Sequence, residues 1–308
     1  MEMTMGSNHF RLMALPLTLA LAALAGAPDA ARAADAASTN RIEAPPCTQL
    51  VTGPGAPASL DCQLNGNADI RSWGEAVNSE GVLRVLSGAE VSFEAVARSA
   101  TTQSRWLDGL VWLGGAVPAQ VVFEGRLVGG FAIDIRRGSI SPPGVEQGRV
   151  AAQLLLQADA GSGAVVATAD AAMARDSAGD VGLWTESVSQ PVMLTLAWTP
   201  AAPGATLAYE QRLLTTATAT NAWFRQGAGT VDARADFRDG SGLVGVRWLD
   251  ASGTELGSAV QWAWTHELVT VPVPEPGTLA LWLAGALVLA VPVAASTSRS
   301  PSARCRRP

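Results

Sequence analysis

The sequence predicts an all-β chain: an antiparallel β-sandwich ectodomain between an N-terminal signal peptide and a C-terminal single transmembrane helix. Three observations carry that expectation. Short apolar-polar alternations separated by Gly, Asp and Ser turns recur from about residue 70 to 270, with no sustained helical period. An apolar run near the N-terminus ends in small residues. A longer apolar stretch near the C-terminus is followed by arginines.

His9 and Arg11 precede an apolar run from Leu12 to Ala25, and the small-residue site Ala31-Arg32-Ala33 follows. That is the layout of a secretory signal peptide over residues 1–33, cut by signal peptidase between Ala33 and Ala34. Ala25-Gly26-Ala27 offers a second site, but Pro28 directly behind it would hinder the peptidase. No cysteine follows the apolar run, so a bacterial lipoprotein is not indicated.

Residues 34–69 form a Pro/Ala-rich leading segment with Cys47 and Cys62. Outside the cytoplasm these two suit a disulfide, whose short loop would stabilise by roughly 3 kcal/mol in the chain-entropy model. Two unpaired thiols are the alternative.

The sandwich is expected over 70–270. Val91, Phe93, Ala95 and Ala97 alternate with Ser92, Glu94 and Val96, the period of a half-buried strand. Val121 to Ile135, Val192 to Trp198 and Ala205 to Thr216 read likewise. Val150 to Ala174 is Ala-rich and also permits a helix, but Gly161, Ser162 and Gly163 punctuate it and favour strands. From Thr230 to Leu249, Val231, Ala233, Ala235 and Phe237 alternate with charges up to Asp239-Gly240-Ser241-Gly242, which predicts a hairpin with a four-residue turn. A second turn at Asp250-Ala251-Ser252-Gly253 leads to a last edge near Val260 to Trp264.

Residues 271–308 hold Pro274-Glu275-Pro276, an apolar stretch at 278–295 and an Arg-rich end at 296–308. An 18-residue helix rises about 27 Å, enough to cross a hydrocarbon core of about 30 Å with little tilt. Membrane spans tolerate residues such as Gly285 and Pro292. Arg299, Arg304, Arg306 and Arg307 lie beyond the span on one flank, which keeps the tail cytoplasmic and the preceding domain outside. Pro272, Pro274 and Pro276 bias the strand before the span toward extended geometry that a processing enzyme can grip.

The run VPEPGTLALWLAGALVLA with its Arg-rich end resembles the PEP-CTERM sorting signal over about the last 35 residues. The resemblance implies recognition by an exosortase at the inner membrane and cleavage near Pro274-Glu275-Pro276. The ectodomain would then pass to the cell surface or exopolysaccharide matrix. The catalytic nucleophile would belong to that partner. The segment ADFRDGSGLVGVRWLDASG also resembles the last hairpin of many PEP-CTERM ectodomains.

Composition narrows the chemistry. No lysine occurs among the 21 basic residues, so lysine-based catalysis and P-loops are excluded. The formal charge of −6 argues against nucleic-acid binding, which needs a basic surface. His266 is the only histidine after the signal peptide and reads as a surface residue, which leaves little material for a His-based metal site or a Ser-His-Asp triad. Asp232, Asp236 and Asp239 lack calcium-loop spacing and read as a solvated edge, with the first two on one polar face. No catalytic residue, metal site or cofactor is expected, and the chain reads as a non-enzyme.

The abundant tryptophans are expected mostly in the core, with Trp262 and Trp264 on one strand face as a candidate glycan platform. The expected role is a structural, exopolysaccharide-associated surface protein. The alternatives are a carbohydrate-binding module using exposed tryptophans and, less favoured, a glycoside hydrolase or lyase with two carboxylates in a cleft.

Overall fold

The computed structural model describes residues 38–265 except 54, 65–66, 80, 93–95, 180 and 224–228. The expected signal peptide with Ala31, Ala33 and Ala34, the tail with Pro274, Glu275 and Pro276, its span, the arginines beyond it and His266 lie outside the described residues.

Thirteen strands are present among the described residues: β1 Ser38–Ala44, β2 Cys47–Thr52, β3 Ala58–Leu64, β4 Asn67–Ser79, β5 Val82–Ser92, β6 Val96–Gly115, β7 Gln120–Arg136, β8 Glu146–Asp159, β9 Ala164–Asp176, β10 Gly182–Ala197, β11 Thr206–Asn221, β12 Thr230–Leu249 and β13 Val260–Trp264. A single 3-10 turn at Gly257–Ala259 precedes β13, and no α-helix occurs among the described residues. All strand pairs are antiparallel. One sheet runs β2-β1-β6-β11-β8-β9, with β13 also on β6, and the other runs β10-β7-β12-β5-β4-β3. The two form the expected sandwich.

Period-two alternation sends one face of each strand into the shared core. In β8, Val150, Ala152, Leu154, Leu156 and Ala158 are buried, and in β10 Val188, Val192, Leu194 and Leu196 are buried while their neighbours face solvent. Phe123, Phe131, Ile133, Ile135, Phe237 and Trp248 fill the centre. β8 and β9 pair across the Gly161-Ser162-Gly163 punctuation, so the Ala-rich stretch is strand on both sides.

Part of the inter-sheet space is polar and is stitched by hydrogen bonds from one sheet to the other. Ser87 Oγ on β5 lies 2.8 Å from Thr215 Oγ1 on β11, and Thr102 Oγ1 on β6 donates to the Leu86 carbonyl at 2.9 Å. Gln211 on β11 accepts from the Leu243 N–H at 2.8 Å and donates to the Gly81 carbonyl. Buried polar groups are tolerated when satisfied in this way.

Two expectations are corrected. The leading segment 34–69 is not separate from the sandwich: β1 pairs with β6 from Ser38↔Trp106 to Glu43↔Thr101, β3 pairs with β4, and both lie in the sheets. Composition missed these strands because prolines such as Pro45, Pro46 and Pro57 sit in the connections between them.

The hairpin expected at Thr230–Leu249 is one continuous strand. β7 pairs with both of its halves, so the second half has no need to fold back on the first. Asp239-Gly240-Ser241-Gly242 forms a bulge instead. The register on β7 jumps from Asp236↔Gly130 to Gly242↔Arg126, with φ of +99° at Gly240 and +140° at Gly242. Ser241 Oγ repairs the interrupted ladder, accepting from the Val128 N–H at 3.0 Å and lying 3.2 Å from its carbonyl as donor. The alternation expected through Val91 to Ala97 is likewise divided between the end of β5 and the start of β6, which belong to different sheets; residues 93–95 lie outside the described set.

Candidate functional site

Strand register builds a groove on one sheet. On the solvent face of the β10-β7-β12-β5-β4-β3 sheet, Asp61 on β3, Trp73 on β4, Gly88 on β5 and Arg234 on β12 stand in one cross-strand row. The next row on one side is Gln63, Arg71, Glu90 and Asp232, and on the other Ser59, Glu75, Leu86 and Asp236. Ser72, Gly74 and Ala76 alternate inward on β4, which turns Arg71, Trp73 and Glu75 outward.

The indole of Trp73 fills the gap left by Gly88: a Cβ there would stand 2.1 Å from the ring. Two guanidiniums meet the same ring, Arg71 at 4.7 Å and Arg234 at 5.6 Å from its centre. Arg71 is tied to Glu90 at 3.1 Å and to Asp61 at 3.6 Å. Arg234 is bound by Asp232, with Nε at 2.9 Å from Oδ1. Ser59, Leu60, Asp61, Glu75 and both arginines wall a groove of about 330 Å³ around the ring.

Titration follows these contacts. The hydrogen bond that Arg234 donates to Asp232 raises Arg234 above its ordinary value, against the opposing effect of burial. Burial acts to raise Asp236, but the hydrogen bonds from Arg238 outweigh it and hold the carboxyl below its ordinary value. The arrangement offers an aromatic surface edged by alternating donors and acceptors, and no thiol or imidazole nucleophile lines it.

Trp262 and Trp264 are half-buried in a different place, on β13. Their rings meet edge to face at 5.8 Å, Trp262 lies 6.0 Å from Trp248, and Trp264 lies 5.5 Å from Tyr209. Trp248 and Tyr209 are buried, so packing against the core occupies the pair. Trp106, Trp112 and Trp198 are also buried. Trp73 stands apart from them, half-buried on the solvent face of β4. The signal that could have set it apart is its position between Arg71 and Glu75, on the polar phase of its strand.

Cys47 and Cys62 are joined by a disulfide with a Cα–Cα distance of 5.9 Å. It links β2 to β3, and hence one sheet to the other, at the edge remote from β9 and β10. Ala44, Ala100 and Leu60 pack around it. Asp232 and Asp236, on the central strand β12, are each paired with an arginine two residues on.

A second constellation had no sequence signal. Glu146 is fully buried at the start of β8, and its carboxylate accepts from Ser141 Oγ at 2.6 Å, Ser177 Oγ at 2.5 Å, and the N–H groups of Gly138 and Gly229 at 3.2 Å each. Burial works against the charge, yet the two hydroxyls and the backbone donors prevail and hold it below the ordinary glutamate value. Its donors come from three separate connections, so it clamps one end of the sandwich.

No protein-family model matches the chain, and no curated protein matches it in sequence. Among solved structures, TmCBM61 in complex with β-1,4-galactotriose aligns over 65% of this chain and 88% of its own, at 10% identity and a TM-score of 0.17. A structure described for the promiscuous specificity of carbohydrate-binding modules from the β-sandwich superfamily aligns over 70% and 86%, at 10% identity and a TM-score of 0.16. At such scores these likenesses assign no function, and the reading of the chain rests on its own residues.

Proposed function

We propose that the chain is an exported, non-enzymatic envelope protein whose sandwich holds extracellular polysaccharide in the groove at Trp73. The observation that carries the glycan reading is the cross-strand row in which an aromatic ring seated over Gly88 is flanked by Arg71 and Arg234, with Asp61 and Glu75 in the walls. A sugar ring presents an apolar C–H face and a rim of hydroxyls. An indole accommodates the first, and arginine-carboxylate pairs accept from and donate to the second.

Delivery is the part of this proposal that rests on sequence. The signal peptide takes the chain across the inner membrane, and the C-terminal helix halts it there. An exosortase then processes the tail near Pro274-Glu275-Pro276, releasing the ectodomain to the surface or matrix. The arginine cluster fixes the orientation. A hydrolase is disfavoured, because the carboxylates nearest the ring, Asp61, Glu90 and Asp232, are each engaged with an arginine.

Affinity electrophoresis of the full chain through polysaccharide gels tests the glycan reading. Trp73→Ala should lose at least tenfold in retardation, while Trp262→Ala should lower thermal stability and leave retardation intact. The reverse pattern would move the site to β13. For delivery, the Glu275→Ala variant co-expressed with an exosortase should accumulate unprocessed in the membrane; unchanged processing would return the tail to a plain anchor.

A further inference from the structure

We infer that the Trp73 groove takes neutral polysaccharide and discriminates against uronate-bearing or sulfated chains; this rests on the glycan reading above and specifies its ligand class. An aromatic ring does not choose by charge, since every pyranose has an apolar face. Selection falls to the ionic groups around it, and there the balance is negative.

Two guanidiniums, Arg71 and Arg234, contact the ring. Four carboxylates either line the groove or hold those arginines: Asp61, Glu75, Glu90 and Asp232. A third cation, Arg238, reaches Glu75 at 3.3 Å but brings Asp236 with it at 2.6 Å. Each guanidinium at the ring therefore already has a carboxylate partner that offsets its charge. A uronate would meet arginines whose charge is already balanced while standing beside the surplus carboxylates. Glu90 and Asp232 are only about 25% exposed, so solvent screens that repulsion incompletely.

A neutral hexose meets the opposite situation. Each of its hydroxyls both donates and accepts, and an arginine-carboxylate pair presents one partner of each kind side by side. Two such pairs, Arg71 with Glu90 and Arg234 with Asp232, occupy neighbouring positions on β4, β5 and β12. The acidic surplus that repels a uronate thus supplies the acceptors a neutral sugar needs.

The test compares the full chain against neutral polymers (galactan, glucan, mannan) and acidic ones (alginate, polygalacturonate) by affinity electrophoresis and titration calorimetry at two salt concentrations. At least one neutral polymer should bind tenfold or more tightly than either acidic one, with little salt dependence. In the Glu90→Gln/Asp232→Asn double variant the preference should shrink at least tenfold toward the acidic polymers. Asp61→Asn, on the outermost strand of the site, should shift it in the same direction by a smaller factor and serves if the double variant does not fold. Acidic polymers binding as well as neutral ones, through Trp73 and with strong salt dependence, would overturn the inference and leave the glycan site standing. Failure of every polymer to bind, or binding unchanged by Trp73→Ala, would overturn both.

Discussion

Trp73 lies over Gly88, its direct partner across β4 and β5, in space that any side chain at residue 88 would occupy. The pair makes the groove a product of register: one residue supplies the ring and the other supplies the vacancy beneath it. Trp73 is held further by Arg71 and Arg234, so its position is set from three strands.

Gly88→Ala is therefore expected to displace the ring without unfolding the sheet. The added Cβ meets indole atoms at 2.1 to 2.6 Å, and the half-buried ring can swing outward. Overpacking of this kind costs about 1–3 kcal/mol. Thermal unfolding should report that modest loss, tryptophan emission should shift toward the solvated indole, and polysaccharide retardation should fall nearly as far as in Trp73→Ala.

Glu146 provides a pH-dependent contribution to stability. Its folded-state value lies below the ordinary one of about 4.3, so its contribution is complete above that value and is lost as pH falls through the lower, folded-state value. Glu146→Ala, which strands two hydroxyls and two N–H groups, should cost about 3 kcal/mol at pH 7. Urea unfolding of wild type and variant should show that gap at pH 7 and a smaller one as pH falls through the lowered folded-state value, where the wild-type carboxyl becomes protonated. A gap that widened on acidification would contradict the clamp.

The Cys47–Cys62 disulfide closes a loop with a sequence separation of 15. In the chain-entropy model that is worth about 3 kcal/mol. Reduction, or the Cys47→Ser/Cys62→Ser double variant, should lower the denaturant midpoint accordingly. Hydrogen exchange should then rise first in β2 and β3, where the bridge joins the two sheets, and stay slow in β7 and β12 at the centre.

The sequence by itself determined the fold class and most of the strands. Alternation of buried and exposed residues is a local property, so β7, β10 and β11 could be read from period alone, whereas β8 and β9 needed the Gly161-Ser162-Gly163 punctuation between them. The proposed export and sorting signals are likewise linear patterns, for the enzymes proposed to read them would meet the chain as an extended segment.

The tertiary structure decided where pairing has the last word. Asp239-Gly240-Ser241-Gly242 supplies positive-φ positions that suit a turn or a bulge equally, and the long partner β7 selects the bulge. β1 and β3 are strands because β6 and β4 hold them, despite the prolines around them. The groove joins residues 61, 71, 73, 88 and 234, which no spacing along the chain connects. Only the register of four antiparallel strands brings them into one patch, and a single-residue slip would turn alternate side chains to the other face of the sheet.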